Sequence, residues 1–277
     1  MTTTAPGRAS TGIAGLDEML KGGFIPGRPY LVRGTVGSGK TTLGVQFLQQ
    51  GVKQGERALL VSIDEPPSEV RENVRSLGWD VGKIRILDVH PSSKAYSKKV
   101  SLVEVAAQRA VGSLRDAKAD VKTEAMKQVQ PDLSAQTLQL MLRQEFNETR
   151  YSRIVIDSLT SLKELAGAEE DIENSVNSLL RFLSESNITA LIISDLPDPT
   201  ELDIETFLCR GEIRLHKMMI SNKIERSITV EKFRGSAHDT IPRPMQISAT
   251  GMVVESKKKL STTHLKTLQA FPPMPSR

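Results

Sequence analysis

The stretch that decides the fold is Gly34-Thr35-Val36-Gly37-Ser38-Gly39-Lys40-Thr41. It matches the pattern G-x-x-x-x-G-K-[ST] in full. The four residues before it, Tyr30-Leu31-Val32-Arg33, predict a buried strand, and residues 42–50 predict a helix after it. A glycine-rich turn can fit this pattern by chance. The order of strand, loop and helix favours a phosphate-binding loop instead.

Each part of this loop has a chemical reason. Glycines allow successive backbone N–H groups to point inward at phosphate oxygens, and the N-terminus of the following helix adds partial positive charge. Lys40 supplies a mobile cation for the β- and γ-phosphates, and the Thr41 hydroxyl is placed to ligate Mg²⁺. The sequence therefore predicts a site for ATP and Mg²⁺. The predicted nucleotide contacts in the loop are Thr35, Val36, Gly37, Ser38, Gly39, Lys40, Thr41 and Thr42.

Acidic residues follow two other apolar runs. Arg153-Ile154-Val155-Ile156-Asp157 ends in a carboxylate, which is the usual second ligand for Mg²⁺ beside a phosphate-binding loop. Asp157 could instead cap the next helix. Asp64 and Glu65 end an earlier run, where one of them could orient or deprotonate an attacking water, or where both could act as helix caps.

Apolar and β-branched runs alternate with helical patterns along the first three quarters of the chain, which is typical of parallel strands joined by crossover helices. Several runs are unbroken, as expected for strands covered on both faces. We therefore predict an α/β fold with a mostly parallel central sheet and covering helices. The candidate strands are residues 30–33, 58–63, 84–89, 153–156 and 190–194.

Two further regions differ from this pattern. After Arg210, shorter alternating segments at 212–216, 227–232, 245–248 and 252–255 predict an antiparallel extension of the sheet. Residues 93–149 are polar and helical, and they form either an excursion from the domain or a pair of long covering helices. One predicted helix face contains Val103, Ala107, Ala110, Val111 and Leu114, and the other contains Leu138, Met141, Leu142 and Phe146.

Length and composition favour one main domain in a cytoplasmic protein. A chain of 277 residues is too short for two ATPase domains in tandem, and no run approaches the roughly 18 apolar residues of a membrane span. The N-terminus does not have the apolar stretch of a secretory signal. Cys209 is the single cysteine, so an intrachain disulfide is excluded.

Charge is unevenly distributed. The whole chain is +4, but residues 256–277 carry five basic side chains and no acid, so the remainder has a net charge of −1. A nearly neutral body argues against a broad nucleic-acid groove. We expect a flexible segment at 1–9, one domain at 10–255 and a basic, disordered tail at 256–277.

Four ordered motifs resemble those of the KaiC family, which belongs to the RecA/DnaB group of ATPases. The resemblance spans about residues 10–255. The motifs are Thr11-Gly12-Ile13-Ala14-Gly15-Leu16-Asp17-Glu18-Met19-Leu20 with Gly22-Gly23-Phe24-Ile25-Pro26-Gly27, then Asp64-Glu65 with Asn73-Val74-Arg75-Ser76-Leu77-Gly78-Trp79, then Asp157-Ser158-Leu159-Thr160-Ser161-Leu162, and Lys232-Phe233-Arg234-Gly235-Ser236-Ala237-His238.

The resemblance implies a RecA-type domain that binds ATP between adjacent subunits of a homo-oligomeric ring, with a hexamer as the expected size. Lys232 and Arg234 would then reach the γ-phosphate of a neighbour's nucleotide, with Ser236 and His238 nearby, and Ser76 would lie near the nucleotide. Asp64 stands where the family usually has Glu, which leaves open whether Asp64 or Glu65 serves the attacking water. Circadian members have two such domains, so a clock role does not carry over to this single domain.

Three functions are therefore open at this point. The leading hypothesis is a slow, Mg²⁺-dependent ATPase whose ATP state governs assembly or the binding of a protein partner. The second is a protein kinase or autokinase, which γ-labelled ATP would reveal by leaving label on protein. The third is a DNA-binding, recombinase-like ATPase, against which the neutral body argues, although the lysine-rich tail keeps it open.

Overall fold

The strands of the protein form one mixed sheet. The structure, a computed structural model, describes residues 7–75, 78–93, 96, 133–166, 171–196 and 203–269. Within these residues the sheet has nine strands in the order β3-β2-β4-β5-β1-β6-β7-β8-β9. The strands are β1 (Pro29–Gly34), β2 (Ala58–Ser62), β3 (Arg85–Asp88), β4 (Arg153–Asp157), β5 (Thr189–Asp195), β6 (Gly211–Ile220), β7 (Lys223–Phe233), β8 (Arg243–Ser248) and β9 (Gly251–Val254).

Helices cover both faces of this sheet. The described helices are α1 (Ala14–Met19), α2 (Lys40–Lys53), α3 (Pro67–Arg75), α4 (Ala135–Glu148), α5 (Leu159–Glu164), α6 (Ile172–Glu185), α7 (Ile204–Leu208) and α8 (Thr262–Gln269). No helix among the described residues is long and apolar enough to cross a membrane.

The six strands from β3 to β6 are parallel, and β6 to β9 pair antiparallel. This arrangement confirms the predicted α/β sheet with an antiparallel extension at its C-terminal end. The five strands predicted before residue 200 are all present, with ends that differ by at most one residue. Strands β1, β2 and β4 are almost wholly buried, as their unbroken apolar runs predicted.

Two hydrophobic cores lie on opposite faces of the sheet because successive side chains of a strand point to opposite sides. Val155 and Leu191 belong to one core, together with side chains of α1, α2 and α3. Ile154 and Ile192 belong to the other core, together with side chains of α4, α5 and α6. The central strands therefore cannot slip by one residue without exposing apolar side chains.

The described part of the 93–149 region is a covering helix. In α4, Leu138, Met141 and Leu142 are fully buried in the second core, and Phe146 is partly buried against it. Ser134 caps this helix by accepting a hydrogen bond from the Thr137 N–H. The other predicted face, from Val103 to Leu114, lies outside the described residues.

The C-terminal tail requires a correction. We expected disorder from residue 256 onward, yet α8 packs against β6 and buries His264. His264 Nδ1 lies 3.0 Å from Glu225 Oε2, and Leu260 is also buried. Composition alone misled the prediction, because the lysines at 257–259 are exposed while the two anchoring side chains next to them are not. Residues 270–277 lie outside the described part.

His216, on β6, makes folding sensitive to pH. Burial lowers the pKa of this imidazole from 6.5 to about 4. Thr229 Oγ1 donates its proton to Glu231 Oε1, so His216 Nε2, 2.9 Å away, must donate to Thr229 Oγ1. A neutral imidazole with hydrogen on Nε2 satisfies this arrangement.

We predict that acid destabilises the protein through His216. Its folded pKa lies below its unfolded pKa, so its contribution to stability is fully present above pH 6.5 and is lost as pH falls toward 4. Replacing it by Gln in His216→Gln keeps an N–H donor and removes the titration. The wild type should lose up to about 3 kcal/mol of unfolding free energy relative to this variant across that range. Urea unfolding of both proteins at several pH values measures the difference, and parallel curves would contradict the prediction.

Candidate nucleotide-binding site

The phosphate-binding loop leaves the carboxyl end of β1 and enters α2, as predicted. Gly37 and Gly39 have φ angles of 74° and 106°, a region that favours glycine. A Cβ on Gly39 would lie 2.5 Å from Ile247 Cδ1, so its backbone is also closely packed. Thr35, Val36 and Gly37 are exposed, whereas Ser38 is fully buried. The glycines thus shape a concave loop at the N-terminus of α2.

Lys40, the first residue of α2, folds back over the loop. Its Nζ donates hydrogen bonds to Gly34 O at 2.8 Å and Thr35 O at 3.2 Å. It also forms an ion pair with Asp195 Oδ1 at 2.6 Å. Asp195 is the last residue of β5, and it lies beside Gly34 in the register of the sheet. The loop lysine therefore has a carboxylate partner within its own chain.

Thr41 and Asp157 meet across the site although 116 residues separate them in sequence. Thr41 Oγ1 donates to Asp157 Oδ2 at 2.7 Å. Burial, and then the neighbouring Asp64 and Glu65 carboxylates, raise the pKa of Asp157 to about 6, while the Thr41 hydrogen bond and Lys40 oppose this rise. A bound cation at this position would relieve the repulsion among the three carboxylates.

Asp64 and Glu65 lie next to this pair, at the carboxyl end of β2. A cavity of about 70 Å³ separates these acids from the loop helix. Ser158 Oγ donates to Asp64 Oδ2 at 3.4 Å, and Asn73 Nδ2 donates to Glu65 Oε2 at 3.2 Å. The cavity is lined by Thr41, Leu60, Ser62, Asp64, Glu65, Val70 and Asp157. The structure therefore brings both candidate bases together with both candidate metal ligands.

The residues present fit a magnesium nucleotide. Mg²⁺ is usually held by one or two carboxylates together with substrate phosphates, and Thr41 and Asp157 offer adjacent oxygen donors. Among the described residues no cluster of three or more His, Cys, Asp or Glu side chains could hold a metal without such help. The glycine cradle and the N-terminus of α2 suit the phosphates of ATP.

The predicted residues near the C-terminus are not at this site. Lys232 and Phe233 pair with Glu212 and Gly211, at the start of β6. Lys232 Nζ donates to Thr206 O, and burial lowers the pKa of its ammonium group. Arg234 is exposed, and its carbonyl accepts from Arg28 Nη1 at 3.2 Å.

Ser236 and His238 follow on the same surface. Ser236 Oγ accepts a hydrogen bond from Arg8 Nη2 at 2.7 Å, and the His238 ring packs edge-on against Phe233. Thr42 is partly buried in the first turn of α2. Ser76 lies outside the described residues.

Three charged residues at the site were missed by the sequence analysis. Asp195 contacts Lys40, and two basic residues of the antiparallel extension contact the loop carbonyls. Lys217 Nζ donates to Val36 O, and Arg226 Nη2 donates to Gly37 O, both at 3.2 Å. Asp195 did have a signal, because it ends an apolar run as Asp157 does. Lys217 and Arg226 had none, because their approach depends on the pairing of β6 with β1.

A phosphate-binding loop after β1, with Asp157 at the end of β4 and β5 lying between these two parallel strands, defines a RecA-type P-loop fold. The chain belongs to the KaiC family of ATPases, whose sequence model matches residues 9–259. This confirms the family resemblance read from the four motifs.

Individual relatives agree with this assignment. The circadian clock protein KaiC2 of Synechocystis sp. is 29% identical over 93% of this chain, which spans 41% of that relative's length. A UPF0273 protein of Pyrococcus horikoshii is 29% identical over 91% of this chain and 96% of its own. The crystal structure of a KaiC-like protein from Pyrococcus horikoshii superimposes with a TM-score of 0.69 at 25% identity, covering 89% of this chain and 98% of that one.

We predict that the loop does not tolerate a side chain at Gly39. The methyl group of Gly39→Ala would be strained at a φ of 106° and would also press on Ile247. The strain costs about 1 kcal/mol and the crowding about 1–3 kcal/mol more. Gly55 is a matched control, since its φ is 79° but no atom lies within 4 Å of the position that a Cβ would take there. Thermal unfolding should show a larger loss for Gly39→Ala than for Gly55→Ala, and equal losses would contradict the packing argument.

Proposed function

We propose that this chain is a Mg²⁺-dependent ATPase whose active site is shared between copies of the chain in a ring. The observation that carries the proposal is the placement of the two halves of the predicted site at opposite ends of the central strands. Lys40, Thr41, Asp157 and the acid pair lie at the carboxyl ends. Lys232 and Arg234 lie toward the amino ends.

Sheet register supports this separation. Glu212, the partner of Lys232, pairs with Leu31, while Gly34 pairs with Leu215. At about 3.3 Å per residue, Lys232 therefore lies roughly 10 Å from the level of Gly34, toward the amino ends of the strands. It is on β7, which is separated from β1 by β6. Its ammonium group also points to Thr206 on α7. If Lys232 and Arg234 act on a γ-phosphate, that phosphate belongs to another copy.

In the proposed reaction, Lys40 and the loop N–H groups hold the β- and γ-phosphates, and Thr41 and Asp157 hold Mg²⁺, which neutralises developing charge on the phosphates. Asp64 orients the attacking water. It is the stronger candidate of the two acids for two reasons. The Asp64 carboxylate contributes more than the Glu65 carboxylate to the raised pKa of Asp157. The hydrogen bond from Ser158 Oγ to Asp64, at 3.4 Å, is also longer than the 3.2 Å bond from Asn73 to Glu65.

The family resemblance suggests six copies and a slow turnover, with the ATP state governing assembly or the binding of a protein partner. A head-to-tail contact is required, since the loop face of one copy must meet the Lys232 face of the next. Asp64 supplies a shorter side chain than the Glu usual in the family, which is consistent with slow hydrolysis. Misplacement of a reacting group by about 1 Å can cost on the order of 100-fold in rate.

Mixing two inactive variants tests the shared site. Lys40→Ala should weaken nucleotide binding or abolish turnover, and Arg234→Ala should lower turnover on the order of 10³-fold, as the loss of an arginine finger does. In a random 1:1 mixture of head-to-tail contacts, about a quarter combine an intact loop with an intact finger. Phosphate release should recover to a comparable fraction of the wild-type rate.

Native mass spectrometry with and without ATP and Mg²⁺ serves as the control, because it shows whether the two variants assemble together. Turnover that stays absent in mixtures that do co-assemble would mean that each site lies within one chain. Unchanged affinity and rate in Lys40→Ala would contradict the proposed nucleotide site itself.

The acid pair can be separated by substitution. We expect Asp64→Asn to lower the rate of hydrolysis on the order of 100-fold with little change in ATP affinity, and Asp64→Glu to raise it. Glu65→Gln should have a much smaller effect. Glu72→Gln, on the exposed face of α3, is the control for removing one negative charge. A severe loss in Glu65→Gln alone would assign the water to Glu65, and no loss in either would make the pair a helix cap.

A further inference from the structure

The ammonium group of Lys40 has no proton left for a new partner. It carries three protons, and three acceptors of its own chain surround Nζ: Gly34 O at 2.8 Å, Thr35 O at 3.2 Å and Asp195 Oδ1 at 2.6 Å. The side chain is only 11% exposed. A phosphate oxygen that binds Lys40 must therefore displace one of these acceptors.

Asp195 is the acceptor that can leave. The two carbonyls belong to the loop backbone and move only with it, whereas the Asp195 carboxylate is the end of a side chain. That side chain is 34% exposed, so water can solvate the carboxylate once it separates from Lys40. It is also the only charged acceptor of the three, and it therefore resembles a phosphate oxygen in what it offers Lys40.

The backbone of Asp195 is held firmly in this position. Its N–H donates to Thr160 Oγ1 at 2.8 Å, and Thr160 belongs to α5, the helix that follows Asp157. The register of β5 against β1 pairs Asp195 with Gly34, which fixes the position of Asp195 relative to the loop. The carboxylate thus returns to the same place whenever Lys40 is free.

Asp195 is distinct from the other acids of the site. Asp157 accepts from Thr41, and Asp64 and Glu65 line the small cavity on the far side of Asp157. Asp195 does not line that cavity, and among the described residues its carboxylate has its ion pair with Lys40. In this structure its contact is therefore with the loop lysine and not with the Thr41–Asp157 pair or the small cavity.

We propose that Asp195 is a positioning residue that competes with the phosphates of the nucleotide for Lys40, and so limits how tightly the chain holds ATP and ADP. The proposal rests on the nucleotide site proposed above. Each binding event breaks the Lys40–Asp195 ion pair, and each release is assisted when the carboxylate recaptures the lysine. The pair thus weakens nucleotide affinity and speeds nucleotide exchange.

The test is the affinity of the full chain for Mg-ADP, measured by isothermal titration calorimetry. Asp195→Asn keeps the size of the side chain and removes its charge, so Lys40 becomes available and ADP should bind about 5- to 10-fold more tightly. Asp195→Glu keeps a carboxylate within reach of Lys40, and its affinity should stay near that of the wild type. A residue with only a structural role would weaken binding when replaced, so the direction of the change is decisive.

A double variant separates competition from simple repulsion of phosphate by the carboxylate. In a Lys40→Met background, Asp195→Asn should change the affinity less than about twofold, because no lysine remains to compete for. Glu185→Gln removes a charge that pairs with Arg181 on the exposed face of α6, and it should leave the affinity unchanged.

Three results would overturn the proposal. Unchanged or weaker ADP binding in Asp195→Asn would show that the ion pair does not oppose the nucleotide. Equal tightening with and without Lys40, or in Glu185→Gln, would assign the effect to net charge. If the wild type binds neither ADP nor ATP, the proposed function fails together with this inference, whereas normal wild-type binding with an unchanged Asp195→Asn affinity rejects the inference alone.

Discussion

The parallel register of β2, β4, β5 and β1 is the constraint on which the site depends. It sets Ser62 beside Asp157 and Gly34 beside Asp195, so the turns that follow all four strands meet at one edge. Because these strands are buried on both faces, a shift of one residue would exchange the contents of the two cores. The hydrophobic pattern of the strands therefore fixes the positions of the charged residues that follow them.

The N-terminal motif supports the same strands from their opposite, amino ends. Asp17 accepts hydrogen bonds from Ser10 Oγ at 2.6 Å and Thr11 N at 2.7 Å, and burial raises the pKa of its carboxyl group. Arg153, at the start of β4, donates to Ser10 O and Phe47 O. Through this guanidinium the motif is joined to the strand that carries Asp157 and to the helix that begins with Lys40. Its residue pattern thus has a structural explanation that does not need contact with nucleotide.

Sequence predicted the strands, the loop and the meeting of Thr41 with Asp157, because each depends on local pattern and on strand order. It did not predict contacts that depend on the folding back of later segments. Lys217 reaches Val36 only because β6 lies beside β1. The packing of α8 against β6 depends on the buried side chains of His264 and of Leu260, which precedes the helix. Asp195 falls between these cases, since the strand before it was predicted at 190–194 but neither Asp195 nor its lysine partner was.

The two ends of the sheet divide the proposed chemistry. The carboxyl ends gather four acidic side chains, of which Asp64 and Glu65 raise the pKa of Asp157 by repulsion. The opposite surface gathers basic side chains. Burial raises the pKa of Tyr30 there to about 12, and the nearby charges of Arg28, Arg8 and Arg210 oppose that rise. Arg28 also donates to the Arg234 carbonyl. In the proposed head-to-tail assembly these arginines would face the acids of the next copy, with the phosphates and the loop cations Lys40, Lys217 and Arg226 between them. The nucleotide and its magnesium ion would then lie where both charge sets are needed, so a single chain would remain incomplete as an enzyme.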